Sequence, residues 1–165
     1  MNFFKEPKNI LDLFTYDLTT FFYEDYKEIN SEEILDTVLI DYEKILPWKE
    51  FDVFNRVVFR VFIEKTNITG TNHINVTFYA DEGYNKENII QIIEKITRIT
   101  GIDDNRKGFW SATDDEQFQK GFVDRMWTLG KNENIYSLRL TFDENQGLNL
   151  SILFFTNLLK QLGKL

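Results

Sequence analysis

The feature that most constrains this chain is a change of hydrophobic period from helical spacing to two. Val57, Phe59, Val61 and Ile63 alternate with Arg56, Val58, Arg60, Phe62 and Glu64. After a polar turn through Asn67 and Gly70, Ile74, Val76, Phe78 and Ala80 alternate with His73, Asn75, Thr77 and Tyr79. Successive strand residues point to opposite sides of a pleat, so two such runs across a short turn predict a β-hairpin. The pattern returns later. Val123, Arg125, Trp127 and Leu129 form one run, Tyr136, Leu138, Leu140 and Phe142 a second, and Leu148, Leu150, Ile152 and Phe154 a third. Turns over 130–134 and 143–147 join them into a three-strand meander.

Elsewhere the spacing is helical. Pro7 can open a helix, and Ile10, Leu11, Phe14, Leu18, Phe21 and Phe22 recur at helical intervals to about residue 27, although threonines and aromatics leave a strand open over 8–27. Ser31 reads as an N-cap, with Glu32 and Glu33 in the first turn. Ile34, Leu35, Val38, Leu39, Tyr42, Ile45 and Leu46 then trace one face, and Pro47 stops the run. Asn85 opens a further helix whose stripe is Ile89, Ile92, Ile93, Ile96 and Ile99, closed by Gly101. Thr113 and Glu116 match a capping box for a short helix ending near Gly121, and Leu158, Leu159 and Leu162 suggest a closing helix.

The expected fold is therefore α+β: an antiparallel sheet of about five strands, a hairpin plus a meander, with helices packed on it in the order α-α-β-β-α-α-β-β-β-α. A single domain is expected over residues 1–165, with 1–46 helical and 51–165 containing the sheet.

Charge is unevenly placed. Residues 24–50 hold nine acids against three lysines, which is −6 of the chain's −8. On the expected helix these acids form an exposed stripe of Glu32, Glu33, Asp36, Asp41 and Glu43. An acidic face steers a basic partner and gives salt-sensitive association. Basic residues are scattered singly, which argues against nucleic acid. The chain has no cysteines and one histidine, so thiolate zinc, a cysteine nucleophile and a multi-histidine metal site are excluded. No signal-peptide pattern and no run of membrane-spanning length are seen, so the expectation is a cytoplasmic protein without a membrane partner.

No G-x-S-x-G, P-loop or G-x-G-x-x-G occurs, and no enzyme, cofactor or metal is expected. The loop over 102–113 is long, and Arg106 beside Phe109 and Trp110 is a pairing frequent at interaction hot spots. The leading expectation is an acidic protein-binding module for a basic protein, in one form an immunity- or antitoxin-like protein that neutralises a basic toxin. Spare aromatics such as Phe3, Phe4 and Tyr23 leave a homodimer open. A second expectation is an anion- or small-ligand-binding domain using Arg60, His73 and Arg139 on the outer sheet face. A third is a metal-dependent hydrolase built on the acids of 103–116. There Asp103, Asn105, Gly108 and Asp114 fall at positions of a calcium loop, but Lys107 stands where an oxygen ligand belongs.

Overall fold

The computed structural model describes residues 26–46, 52–64, 72–131 and 134–156. Its elements are β1 (Lys27–Ile34), β2 (Thr37–Ile45), β3 (Arg56–Glu64), β4 (Asn72–Ala80), α1 (Lys86–Thr100), α2 (Ala112–Gln119), β5 (Phe122–Lys131), β6 (Asn134–Asp143) and β7 (Gly147–Thr156). All the strands join one antiparallel sheet in the order β1-β2-β3-β4-β7-β6-β5. The chain lays down a four-strand meander, crosses with both helices to the far edge, and returns as a three-strand meander. The β4–β7 ladder joins the two halves.

The helices cover one face. Val57, Phe59, Val61, Val76, Phe78, Leu138, Leu140, Leu150 and Ile152 point inward and form a continuous core with the stripe of α1. Ile89, Ile92, Ile93 and Ile96 of α1 are all at most 2 % exposed. Burying one such side chain stabilises by roughly 1.5–3 kcal/mol, so packing outweighs the low helix propensity of isoleucine. The ends of α1 are well defined. Asn85 Oδ1 accepts from the Asn88 N–H at 3.1 Å, and Asn88 Oδ1 accepts from the Asn85 N–H at 2.8 Å. Gly101, at φ +87°, ends the helix by donating to Thr97 O at 2.9 Å. The cap of α2 lies two residues before the expected Thr113. The Asp114 carboxylate reaches back to the N–H and hydroxyl of Ser111, at 2.9 and 2.8 Å.

The expected fold is corrected in one respect that matters for function. The described residues form one antiparallel sheet of seven strands with two helices, not about five strands with five helices. The segment read as a helix over 31–46 is β1, a turn and β2. Ser31 lies within a strand and caps nothing. The apolar set of 34–46 fits both periods, because Val38, Leu39 and Ile40 are consecutive and occupy both parities. What decides is pairing: β2 runs in unbroken register with β3 from Thr37–Glu64 to Ile45–Arg56. The β-branched residues Thr37, Val38, Ile40 and Ile45 suit that ladder better than a helix. The expected helix over 8–27 and the closing helix at Leu158–Leu162 lie outside the described residues, except that Tyr26 and Lys27 lead into β1.

Candidate functional site

The acids expected on one helical stripe are instead distributed over a hairpin. Alternation from the core face of β3 puts Asp41, Glu43 and Glu32 on the outer face of the sheet, Glu33 on the inner face, and Asp36 in the turn. Asp41 is only 5 % exposed. It accepts from Arg60 through both oxygens, at 2.7 and 2.8 Å, directly across the β2–β3 ladder. That bidentate contact, aided by Asn30 from β1, outweighs burial and holds the Asp41 carboxyl below its ordinary pKa. Glu43 meets Arg56 at 3.3 Å. Arg56 also clasps Asp81 at 2.8 Å and lies 4.3 Å over the Tyr79 ring. Asp41 and Glu43 are thus neutralised by β3 and belong to the sheet rather than to a docking face.

β1 and the turn after it are exposed, whereas β2 is mostly half-buried. All eight residues of β1 are exposed, including Glu28, Glu32 and Glu33. Ile29 and Ile34 are 47 % and 48 % exposed, and Leu35 at the tip is 90 % exposed. Leu35 also has φ +55°, a left-handed conformation that favours glycine or asparagine. Over Lys27–Ile45 six acids face two lysines, a net −4. A strand exposed along its whole length, with apolar tips inside an acidic field, has the surface chemistry of a contact region.

The second expected site is dispersed. Arg60 is bound to Asp41, and Arg139 is clasped by Asp124 at 2.9 and 2.7 Å. Both lie on the outer face, but β4 and β7 separate their strands, which places them three strand spacings, about 14 Å, apart. The backbone of His73 pairs with Phe62 and Phe155. No convergent cationic cradle forms between Arg60 and Arg139.

The segment 102–111 is built around Arg125, a residue sequence reasoning did not single out for this role. Arg125 is fully buried on the inner face of β5. Its Nε donates to Asp103 Oδ2 at 2.5 Å, its Nη1 meets both oxygens of Asp114 at 3.4 Å, and its Nη2 donates to Lys107 O and Gly108 O at 3.1 and 2.5 Å. The guanidinium also lies 5.5 Å from the Trp127 ring centre. Lys107 Nζ adds a contact to Asp114 at 3.3 Å, and the Lys107 N–H donates to Asp103 at 2.7 Å. Burial pulls the Asp114 pKa upward, but the Ser111 hydroxyl, Arg125 and Lys107 together hold it below its ordinary value. Two cations and two carboxylates therefore close a neutral buried cluster that binds the loop to the sheet. The available signal was the phase of Arg125, which alternates with the same register as Val123, Trp127 and Leu129.

This cluster accounts for the calcium-loop echo. Asp103 and Asp114 face Arg125 and Lys107, and Lys107 stands among them as a cation. Among the described residues no group of three or more His, Cys, Asp or Glu could hold a metal ion. Trp110 is half-buried, donates from Nε1 to Asp115 at 2.9 Å, and meets the Phe118 ring edge-on, so it anchors the loop. Arg106 is exposed with φ +63°, and Phe109 is 54 % exposed. No described helix is long and apolar enough to cross a membrane.

Comparison of the chain with protein-family profiles, with curated proteins and with solved structures gives no match.

Proposed function

We propose that this protein is a binding module, not an enzyme, and that the β1–β2 hairpin docks a basic protein partner, with a cytoplasmic location as part of that reading. Neutralisation of a basic toxin is one form of it. The observation that carries the reading is the full exposure of β1 together with the exposed acids Glu28, Glu32 and Asp36, which remain once Asp41 and Glu43 are paired with β3. Such a surface raises the association rate with a basic partner and makes binding salt-sensitive. Glu28, Glu32 and Asp36 are the acids to test, because they are exposed; Glu32 also lies within electrostatic reach of Arg60. The triple variant E28K/E32K/D36K leaves the apolar core and the Arg60–Asp41 contact residues unchanged, while removing the attraction of Glu32 for Arg60.

The experiment is a salt-resolved capture from host lysate, with wild type and variant compared. One stoichiometric basic protein, retained by wild type at low salt and lost by the variant, supports the reading. Equal capture by the two proteins overturns it. Circular dichroism of the variant confirms that the sheet is intact.

A further inference from the structure

Among the described residues, the two edges of the sheet differ in the contacts made at their outer rims. On β5, the loop occupies the outer rim: Asp104 N donates to Met126 O at 2.8 Å, and Asp104 Oδ1 accepts from Thr128 N at 2.9 Å. Asp104 Oδ2 also accepts from the Thr128 hydroxyl at 2.7 Å. A strand edge plugged in this way cannot template another strand. On β1, no such backbone contact to the outer rim occurs among the described residues. The strand carries no proline and one lysine, the residues with which exposed edges are usually blunted. Its one irregularity is a register shift between Glu28 and Asn30, which leaves Asn30–Ile34 in unbroken register with β2.

We infer that Asn30–Ile34 accepts an added strand, and that the occupant is an extended segment of a partner protein rich in lysine or arginine. This inference rests on the binding function proposed above and specifies its geometry. Main-chain hydrogen bonds to the open edge give affinity, and alternate side chains of the incoming strand meet the two faces of β1. Glu28 lies on the inner face of β1 and Ile34 on the outer, so cations on one face of the incoming strand would lie near Glu28 and apolar residues on its other face near Ile34. A second copy of this chain is the poorer occupant. Two β1 edges side by side would bring Glu28, Glu32 and Glu33 of each copy together, and like charges across a ladder repel.

The test uses the full-length protein and a synthetic eight-residue peptide of alternating lysine and valine. A second peptide of the same sequence carries N-methyl groups on alternate residues, which keeps the charge and removes donors on one edge. Binding is read by fluorescence anisotropy at low salt, and amide hydrogen exchange is read over residues 27–34. The expected result is at least ten-fold weaker binding of the methylated peptide, with slowed exchange in Asn30–Ile34 only for the unmethylated one. Equal binding of the two peptides, lost in E28K/E32K/D36K, would overturn strand addition and leave charge-driven docking standing. No binding of either peptide would count against both. A dimer in sedimentation that protects the same amides without peptide would make a second copy the occupant and overturn the inference.

Discussion

The β5 side and the β2–β3 side of the sheet use the same ion-pair chemistry to different ends. At the β5 side, Arg125 and Asp103 are wholly buried, and every donor direction of the guanidinium that the geometry offers meets an oxygen. At the β1 side, the neighbouring Arg60–Asp41 pair is half in water, with the arginine side chain 46 % exposed over an aspartate side chain 7 % exposed, and β1 itself is exposed throughout. Removing one partner from a buried cluster strands the other charge, whereas an exposed pair is screened by water and salt. One edge is therefore closed by a loop held by charge, and the other, among the described residues, has no such cover and carries charge outward. The closed edge explains how the loop is held. The edge at β1 is where the proposed partner would add.

The largest effect expected from this contrast is at Arg125. Arg125→Met should destabilise the fold by roughly 3–5 kcal/mol, because it leaves Asp103 and Asp114 buried without their cation. Arg60→Met should cost less, about 1–3 kcal/mol, because Arg60 is half in water but the Asp41 carboxylate it leaves behind is buried. Urea unfolding of the two variants checks both values. Equal losses would show that burial does not separate the two edges.

The same contrast explains what could be read from the chain and what could not. β3 to β7 and α1 were legible because alternation or a 3.6 period spans each of them with flanking turn or cap residues, as at Asn85 and Gly101. The β1–β2 hairpin was misread because its apolar run occupies both parities, and only the partner strand β3 selects the pleat. Leu35 at the turn hid the hairpin further, since a turn with positive φ normally announces itself by glycine or asparagine. The closed edge was partly legible. An arginine in phase with Val123, Trp127 and Leu129 requires buried acids, but which acids is a matter of long-range contact: Asp103 lies 22 residues away and Asp114 lies 11.

Acid should act on both regions, in one direction. Asp114 is held below its ordinary value by Ser111, Arg125 and Lys107 against the opposing pull of burial, and Asp41 chiefly by Arg60. A carboxylate whose folded pKa lies below its unfolded one contributes stability that is present above the unfolded pKa and is lost as pH falls through the folded one. Stability should therefore be level from neutral pH to about pH 4 and decline below it. Side-chain carboxyl shifts followed by NMR should give both aspartates midpoints below the ordinary value of 3.8. A midpoint above 3.8 for Asp114 would show that burial outweighs its hydrogen bonds and the cluster's cations.

A smaller effect tests the plug on the closed edge. Asp104→Ala removes the carboxylate contacts to the Thr128 N–H and hydroxyl, both partly in solvent, and should cost about 1 kcal/mol. Its more informative consequence is association: with part of the rim of β5 freed, the variant should self-associate at concentrations where wild type does not. Light scattering over a concentration series reads this directly. Unchanged scattering would mean that the remaining contact at Met126 suffices to block the edge.

The smallest effect is at the hairpin tip, where stability and binding should part company. Leu35 adopts φ +55° with its side chain 90 % exposed, so it gains little from packing and holds a backbone conformation that costs an ordinary residue roughly 1–2 kcal/mol. Leu35→Asn places a residue that tolerates this conformation, and should stabilise the fold by about 0.5–1 kcal/mol. Under the proposed function, Leu35 is a contact for the partner. The variant should therefore unfold at a higher urea midpoint while binding the lysine–valine peptide several-fold more weakly. Higher stability with unchanged binding would remove Leu35 from the contact surface and leave the acids and the open backbone of β1 to carry recognition.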